Sequence, residues 1–369
     1  MGELLEVSVS AAADRTVHFV VPGAIDDPDR VSGGNVYDRH VRDGLRNAGW
    51  AVRMVLIAEG SGPLVTLSLS ELPDGALVII DGLIAVRESG TLAAQSTRLR
   101  MIVLAHMVAS LTSGLSADGT HRADLADREG VALKSADRVI ATSGWTRSEL
   151  IARSLVQPHG VVTAHPGTDP APATVASRAG GRLICVGVVA PHKGQDVLVR
   201  TLARLKEVGD WTCTFVGSLS TAPDFVADLK QTVHIEQLAT RVSFAGTLAG
   251  RALDAAYGRA DLVVAPSRTE SFGMVVAEAL ARGIPVVASR VGGIPEALSR
   301  SGAGILVPAD DPAALETVLR EWWASPSLRT ELMTAAVEAR AIVRSWSSTI
   351  STIESVLQEI TRSRTAVWA

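Results

Sequence analysis

The run Asp261-Leu-Val-Val-Ala-Pro266, continuing through Ser267-Arg-Thr into Glu270-Ser-Phe-Gly-Met-Val-Val-Ala-Glu278, decides how this chain is organised. A short apolar run rich in β-branched residues reads as a buried strand, and the stretch from Gly273 toward Arg282 reads as a helix. A strand–loop–helix junction presents free backbone N–H groups and the positive end of a helix dipole to an anion. Gly273 removes a Cβ where backbone must approach a ligand. Glu270 and Glu278 stand on either side, eight residues apart, where each can accept hydrogen bonds from neutral hydroxyls. An anion flanked by hydroxyls is the chemistry of a nucleotide-sugar.

The same alternation extends outward in both directions. Upstream, 182–187, 212–216 and 242–245 read as strands, and 195–207 and 223–238 as helices; downstream, 285–289 is a further strand. In the first half, 16–22, 51–58, 76–81, 100–105 and 139–143 read as strands. Residues 35–48 read as a helix with Tyr37, Val41, Gly44, Leu45 and Ala48 on one face. Apolar strands without strict alternation are buried on both faces, which means a parallel α/β sheet. Between the halves, 168–181 is rich in Pro and Gly and poor in large apolar residues, and reads as a linker. The expectation is two doubly wound domains, 1–170 and 171–345. A helix at about 346–369, with Trp346, Ile350, Ile353, Val356, Leu357 and Ile360 on one face, is free to pack back on the first.

Bulk properties narrow the function. With 369 residues, each half is long enough for its own core. A net charge of -4 provides no basic field for nucleic acid. Cys185 and Cys213 lie in apolar strand-like runs and read as small buried hydrophobes. The N-terminus is acidic and lacks the basic region of a secretory signal, and no apolar run reaches the ~18 residues of a membrane span. A cytoplasmic protein is expected. Arg39, Arg42 and Arg46 form one stripe of the 35–48 helix and could meet anionic head groups, but Asp38 and Asp43 interleave and favour a solvated face.

Other candidate residues cluster at strand ends, where ligands of open α/β sheets bind. Lys193-Gly194 follows the 182–187 strand and its terminal Gly187. An ammonium there can meet a phosphate, although a surface lysine in a turn fits the residues as well. Val291-Gly292-Gly293-Ile-Pro295-Glu296 is a second glycine-rich strand-to-helix turn. Gly217 with Ser218, and Gly246-Thr247-Leu248, are the loops whose shape would select a base. Ser32-Gly33-Gly34 precedes the first helix, as a phosphate approach or as a simple turn. His106 ends a strand, as a proton-handling or a structural group. Asp27-Pro-Asp29 is formally a metal-binding pattern, but it lies in an acidic loop that follows no nucleotide-binding strand. No His/Cys metal cluster, nucleophile elbow or phosphate-binding P-loop motif occurs.

Taken together, Val186-Gly…Pro191-His-Lys193-Gly194, Phe244-Ala-Gly246-Thr, Ala260-Asp…Pro-Ser267, Glu270-Ser-Phe-Gly…Glu278-Ala, Gly283-Ile-Pro-Val-Val-Ala288 and Gly292-Gly-Ile-Pro-Glu296 resemble the donor domain of retaining GT-B glycosyltransferases of family 4. The first half is similar more loosely, through Ser32-Gly-Gly34, His106, Ala136-Asp-Arg-Val-Ile-Ala-Thr-Ser143 and Val162–Asp169. The resemblance implies two Rossmann-like domains facing a central cleft, and metal-independent, retaining transfer of a hexose from a UDP- or GDP-sugar to a hydroxyl acceptor. It implies no cofactor. Lys193 would hold the diphosphate and Glu278 the ribose. Glu270 would bind the sugar hydroxyls, helped by the backbone of Phe272, Gly273 and Met274. His106 would face sugar and acceptor, and Gly33 and Gly34 would approach the diphosphate. The family commonly carries Arg where this chain has Val188. His192 first, then Arg268 and Arg290, are the candidates to replace that cation. A nucleotide-sugar-binding subunit without turnover, or a GT-B-like epimerase or phosphorylase, are the alternatives.

Overall fold

Strand and helix alternate through most of the chain, and each sheet is wholly parallel. The computed structural model describes residues 15–28, 30–58, 62–111, 122–298 and 301–365. Two compact units result. The first holds 15–26, 34–111, 122–166 and 346–365; the second holds 27–28, 30–33, 167–298 and 301–345. Asp29 of the Asp27-Pro-Asp29 pattern lies outside the described residues.

In the first unit the strands are β1 (Thr16–Pro22), β2 (Ala51–Ile57), β3 (Leu77–Asp81), β4 (Arg100–Ala105), β5 (Arg138–Ala141) and β6 (Val161–Thr163). They pair in the order β2-β1-β3-β4-β5-β6. Helices α1 (Gly33–Asn47), α2 (Gly62–Ser70), α3 (Gly82–Arg87), α4 (Ser89–Gln95), α5 (Arg122–Lys134) and α6 (Gly144–Ala152) intervene. Every residue of β3 is buried. Val78 and Ile80 enter one apolar cluster and Leu77 and Ile79 the other, as the two-residue strand period requires of a sheet covered on both faces.

The second unit repeats the plan with β7 (Arg182–Val186), β8 (Thr212–Val216), β9 (Val242–Gly246), β10 (Leu262–Ala265), β11 (Val286–Ser289) and β12 (Gly304–Val307). Its helices are α7 (Gln195–Arg204), α8 (Pro223–Ile235), α9 (Gly250–Tyr257), α10 (Met274–Ala281), α11 (Ile294–Leu298), α12 (Pro312–Ala324) and α13 (Pro326–Ala339). The order is β12-β11-β10-β7-β8-β9, so the chain's direction across the sheet reverses between β7 and β10. β10 alternates like β3: Leu262 and Val264 pack on one face, Val263 and Ala265 on the other. Cys185 and Cys213 are free and buried on the neighbouring strands β7 and β8, and burial pushes the Cys185 thiol up to about 12. Both belong to the core.

Helix α14 (Trp346–Thr365) joins the first unit, with Ile350, Ile353, Val356, Leu357 and Ile360 buried in the cluster that covers one face of its sheet. The Trp346 ring stacks on His40 at 4.0 Å.

One expectation is sharpened and one is corrected. The stretch from Thr168 to Gly181 forms no helix or strand and follows the boundary between the units, as a linker should, but it is anchored. Buried Asp261 accepts from the Ser177 N–H at 2.6 Å and the Arg182 N–H at 2.8 Å, and it pairs with the Arg182 guanidinium at 2.6 Å. Arg340 donates to the Ala171 carbonyl and the Thr174 N–H to the Arg282 carbonyl, which lays the segment along the second unit. Asp38 is not on a solvated face, because its residue exposure is 0%. The basic residues around it are engaged: Arg42 pairs with Asp26 at 2.7 Å and Asp43 at 2.8 Å, and Arg39 donates to the Ile25 carbonyl at 2.8 Å. That stripe therefore gives no support to a membrane contact. Among the described residues no helix is long and apolar enough to cross a membrane.

Candidate active site

In the second unit, the loops after β7 and β10 lie on either side of the point where strand order reverses, the place where open α/β sheets bind ligands. After β7 the chain passes through Gly187 and Val188 into a single turn, Pro191–Lys193, that ends at Gly194 in the left-handed region with φ 66°. A Cβ at Gly194 would lie 2.1 Å from the Pro266 carbonyl oxygen. Only glycine permits this approach of the two loops, and the approach puts Lys193 beside Glu270. Lys193 Nζ donates to Glu270 Oε2 at 2.5 Å, and each side chain is about one-fifth exposed, at 21% and 20%. Two residues 77 apart in the chain thus form one ion pair that water still reaches.

The backbone of Glu270 is braced from the β11 side. The Gly293 N–H donates to the Glu270 carbonyl at 3.1 Å, and a Cβ on Gly292, at φ 52°, would sit 1.6 Å from that same oxygen. The Gly292-Gly293 turn therefore shapes the site by carrying Glu270. Gly273, at φ 98°, opens α10 with no side-chain cap, so the first N–H groups of that helix remain available to an anion. Phe272 is buried, whereas Met274 is half-buried at the first position of α10.

Glu278 lies within α10 and accepts a 2.7 Å hydrogen bond from the buried Tyr257 hydroxyl of α9. Burial raises its carboxyl above the ordinary glutamate value; Tyr257 and Arg282 oppose that rise without cancelling it. The Arg282 guanidinium covers the Tyr257 ring at 4.4 Å and pairs with Asp254 at 2.5 Å. On the other flank of the reversal point, Gly187, Gly217 and Gly246 end β7, β8 and β9. They are joined by Gly187 N–H to Val216 O and Gly217 N–H to Gly246 O bonds, both 2.8 Å. Thr247 is half-buried, and Leu248 packs against the core beside it.

Of the three candidates to replace the missing cation at Val188, Arg290 is exposed just past β11, and the other two are poorly suited. His192 is lowered by burial and then by Lys193, so near neutral pH it carries no charge. Arg268 stays charged, held up chiefly by Asp196, but it is committed. It binds both Asp196 oxygens at 2.8 Å, Asp310 at 2.8 Å and the Pro191 carbonyl at 2.6 Å. It clamps the Pro191–Lys193 turn from behind. Gln195, 1% exposed, donates to the Val188 carbonyl at 2.9 Å and holds the same loop from inside.

The first unit has its own polar cluster. His106, at the end of β4, places Nε2 2.9 Å from Asp38 Oδ1 of α1 and 3.4 Å from Asp81 Oδ2 at the end of β3. Asp81 Oδ1 caps α3 by accepting from Leu83 and Ile84 N–H at 2.9 and 3.0 Å. Among the described residues both Asp38 oxygens and His106 Nε2 are buried, and their 2.9 Å contact falls short of good hydrogen-bond geometry. Burial by itself would lower His106; Asp38, then Asp81, more than reverse this and hold it at about 9. Asp81 is raised by burial to about 6, against the pull of His106. Gly34 lies against the His106 ring, where a Cβ would stand 3.6 Å from Cδ2, and Gly33 begins α1.

Residues 180–325 match the family model described as glycosyl transferases group 1. A D-inositol 3-phosphate glycosyltransferase of Kineococcus radiotolerans is 34% identical over 263 residues, 63% of this chain and 60% of that protein. One of Mycolicibacterium gilvum is 32% identical over 278 residues, 72% of this chain and 62% of that protein. One of Salinispora arenicola is 30% identical over 344 residues, 81% of this chain and 76% of that protein. The chain belongs to the group 1 glycosyltransferases. Its matches with the Kineococcus and Mycolicibacterium proteins span 60% and 62% of their lengths, less than two-thirds. Among solved structures, sucrose-phosphate synthase from Thermosynechococcus elongatus aligns with TM-score 0.79 at 20% identity, covering 95% of this chain and all of that one. Anabaena HepE in complex with UDP and glucose aligns with TM-score 0.74 at 19% identity, over 94% of this chain and all of that one. These likenesses fix the fold as GT-B.

The sequence of this group 1 glycosyltransferase singles out Lys193, Glu270, Glu278 and His106 as candidates, and the structure brings the first two into contact. It did not find Gln195, Tyr257, Asp38 or Asp81. The one available signal was the spacing of Asp38, Val41 and Leu45, which puts Asp38 on the apolar stripe of α1.

Proposed function

We propose that the chain is a retaining, metal-independent hexosyltransferase that moves a sugar from a UDP- or GDP-hexose to a hydroxyl of a phosphorylated polyol. The observation that carries this reading is the Lys193–Glu270 ion pair across the reversal point of the second sheet, beside the uncapped start of α10. It supplies a cation and free N–H groups for a diphosphate, and a carboxylate for sugar hydroxyls. Glu278, steadied by Tyr257, is the group for the ribose diol. The acceptor class follows the relatives, which carry inositol 3-phosphate in their names.

The bond from the sugar's anomeric carbon to the diphosphate oxygen breaks, and its electron pair leaves with the diphosphate. Lys193 and the α10 N–H groups stabilise the charge that develops there. The acceptor oxygen bonds to the anomeric carbon on the same face, and its proton passes to the departing phosphate oxygen. No carboxylate is required as a covalent nucleophile. His106 is the first unit's own candidate for a substrate hydroxyl.

The deciding assay offers UDP-, GDP-, ADP- and dTDP-hexoses with inositol 3-phosphate or its unphosphorylated form, in EDTA, and reads released nucleotide and product anomer. Transfer with retention in EDTA is expected. Inversion, or a strict need for added metal, would refute those parts of the reading. Binding that raises the melting temperature without turnover would instead favour a nucleotide-sugar-binding subunit. That second reading has one specific support: Val188 lacks the family's cation, and with His192 lowered and Arg268 committed, only the exposed Arg290 is left among the three candidates.

A further inference from the structure

The cluster around His106 contains more charge than a substrate-facing histidine needs. Its Nε2 faces two carboxylates, from α1 and from the end of β3, at 2.9 and 3.4 Å. Ionised carboxylates only accept hydrogen bonds, so Nε2 must carry a proton. The open question is Nδ1. In a neutral ring it would be a lone pair and a base; in an imidazolium it is a second N–H donor. Other groups around the ring do not offset the carboxylates. Tyr37 meets it edge-on at 5.3 Å, and its buried hydroxyl, itself held neutral by burial, donates to the Ala164 carbonyl. Glu129 of α5 lines the same small cavity, buried, with its two oxygens taken by the Ala109 and Ser110 N–H groups at 2.7 and 3.0 Å. Thr142 donates to the His106 carbonyl at 3.2 Å and adds no charge.

We propose that Asp38 and Asp81 are positioning residues that keep the His106 ring fixed and doubly protonated, so that Nδ1 is a standing hydrogen-bond donor to a substrate hydroxyl and not the base of the reaction. This rests on the reading of His106 as substrate-facing. It agrees with a route in which the departing phosphate takes the acceptor's proton. It also gives buried Asp38 a partner: an unpaired buried carboxylate is strongly disfavoured, and the ring 2.9 Å away is its counter-ion.

The test is an NMR titration of the His106 imidazole in the intact chain in EDTA, assigned against His106→Gln because the sequence has eight histidines. The expected midpoint lies well above neutrality. Asp81→Asn, which keeps the oxygen that caps α3, lowers it by at least one pH unit, and Asp38→Asn does the same. In turnover, the wild type loses activity on the alkaline side as His106 deprotonates, and that limb moves down in Asp81→Asn by the same amount. A wild-type midpoint at or below 6.5 overturns the proposal. So does activity that rises as His106 loses its proton. The midpoint is read without turnover, so failure of the glycosyl-transfer reading would leave this result to stand or fall by itself.

Discussion

Replacing Glu270 by Gln separates two roles that the structure places in one contact. The carboxylate is both the counter-ion of Lys193, at 2.5 Å, and the proposed partner of the sugar hydroxyls. The amide keeps size and one acceptor oxygen but removes the charge, so two observables should move in opposite directions. Two unit charges about 4 Å apart attract by about 1 kcal/mol in water and about 4 kcal/mol at an effective dielectric near 20. With both side chains about one-fifth exposed, the charge released toward a bound diphosphate is toward the middle of that range, discounted by water and ions. A net gain of about 1 to 2 kcal/mol tightens binding of the free nucleoside diphosphate by about 5- to 30-fold. Transfer moves the other way. Exchanging a charged hydrogen bond of about 1.5–3 kcal/mol for a neutral one of about 0.5–1.5 slows kcat/KM by about tenfold or more. Calorimetric titration of UDP and GDP, with turnover read from released nucleotide, measures both. Diphosphate affinity that falls together with turnover would mean Glu270 organises the phosphate site. Near-normal turnover would remove it from the reaction.

Tyr257→Phe deletes the 2.7 Å donor to Glu278; destabilisation by about 1 kcal/mol and weaker nucleoside binding are expected, and an unchanged melting temperature with unchanged affinity would show the two residues to be uncoupled. Arg268→Gln removes the clamp on Asp196, Asp310 and the Pro191 carbonyl; it should lower thermal stability far more than diphosphate affinity, and the reverse pattern in the same two assays would place Arg268 at the ligand. Gly292→Ala puts a methyl 1.6 Å from the Glu270 carbonyl at a left-handed φ; the backbone must move, at about 1–3 kcal/mol of strain, and turnover should fall even where circular dichroism shows a folded chain.

Much of the scaffold was legible because both faces of each sheet are covered. Buried parallel strands make continuous apolar runs, and β1, β4 and β8 appear at the residues where those runs lie. The strands β6 and β12 were not read, being three and four residues long at sheet edges with little apolar length to mark them. The anchoring of the 168–181 stretch was not legible for a related reason. Proline and glycine report local conformation, whereas its anchoring depends on Asp261, far along the chain and buried.

Local sequence was sufficient for the strand–loop–helix junctions, because a short apolar run, a glycine and an apolar helical stripe are chemistry within one segment. That alone placed Glu270, Glu278 and Lys193 at the carboxyl ends of strands. Only the tertiary structure decided what state each group is in. Lys193 meets Glu270 because Gly194 lets two distant loops touch. His192 is neutral and Arg268 occupied because of what burial and Asp196 bring to them. Asp38 and Asp43 are indistinguishable as letters in one helix, yet one is sealed against His106 and the other pairs with Arg42 at the surface. A residue's charge and its partner are set by desolvation and by neighbours that only folding supplies.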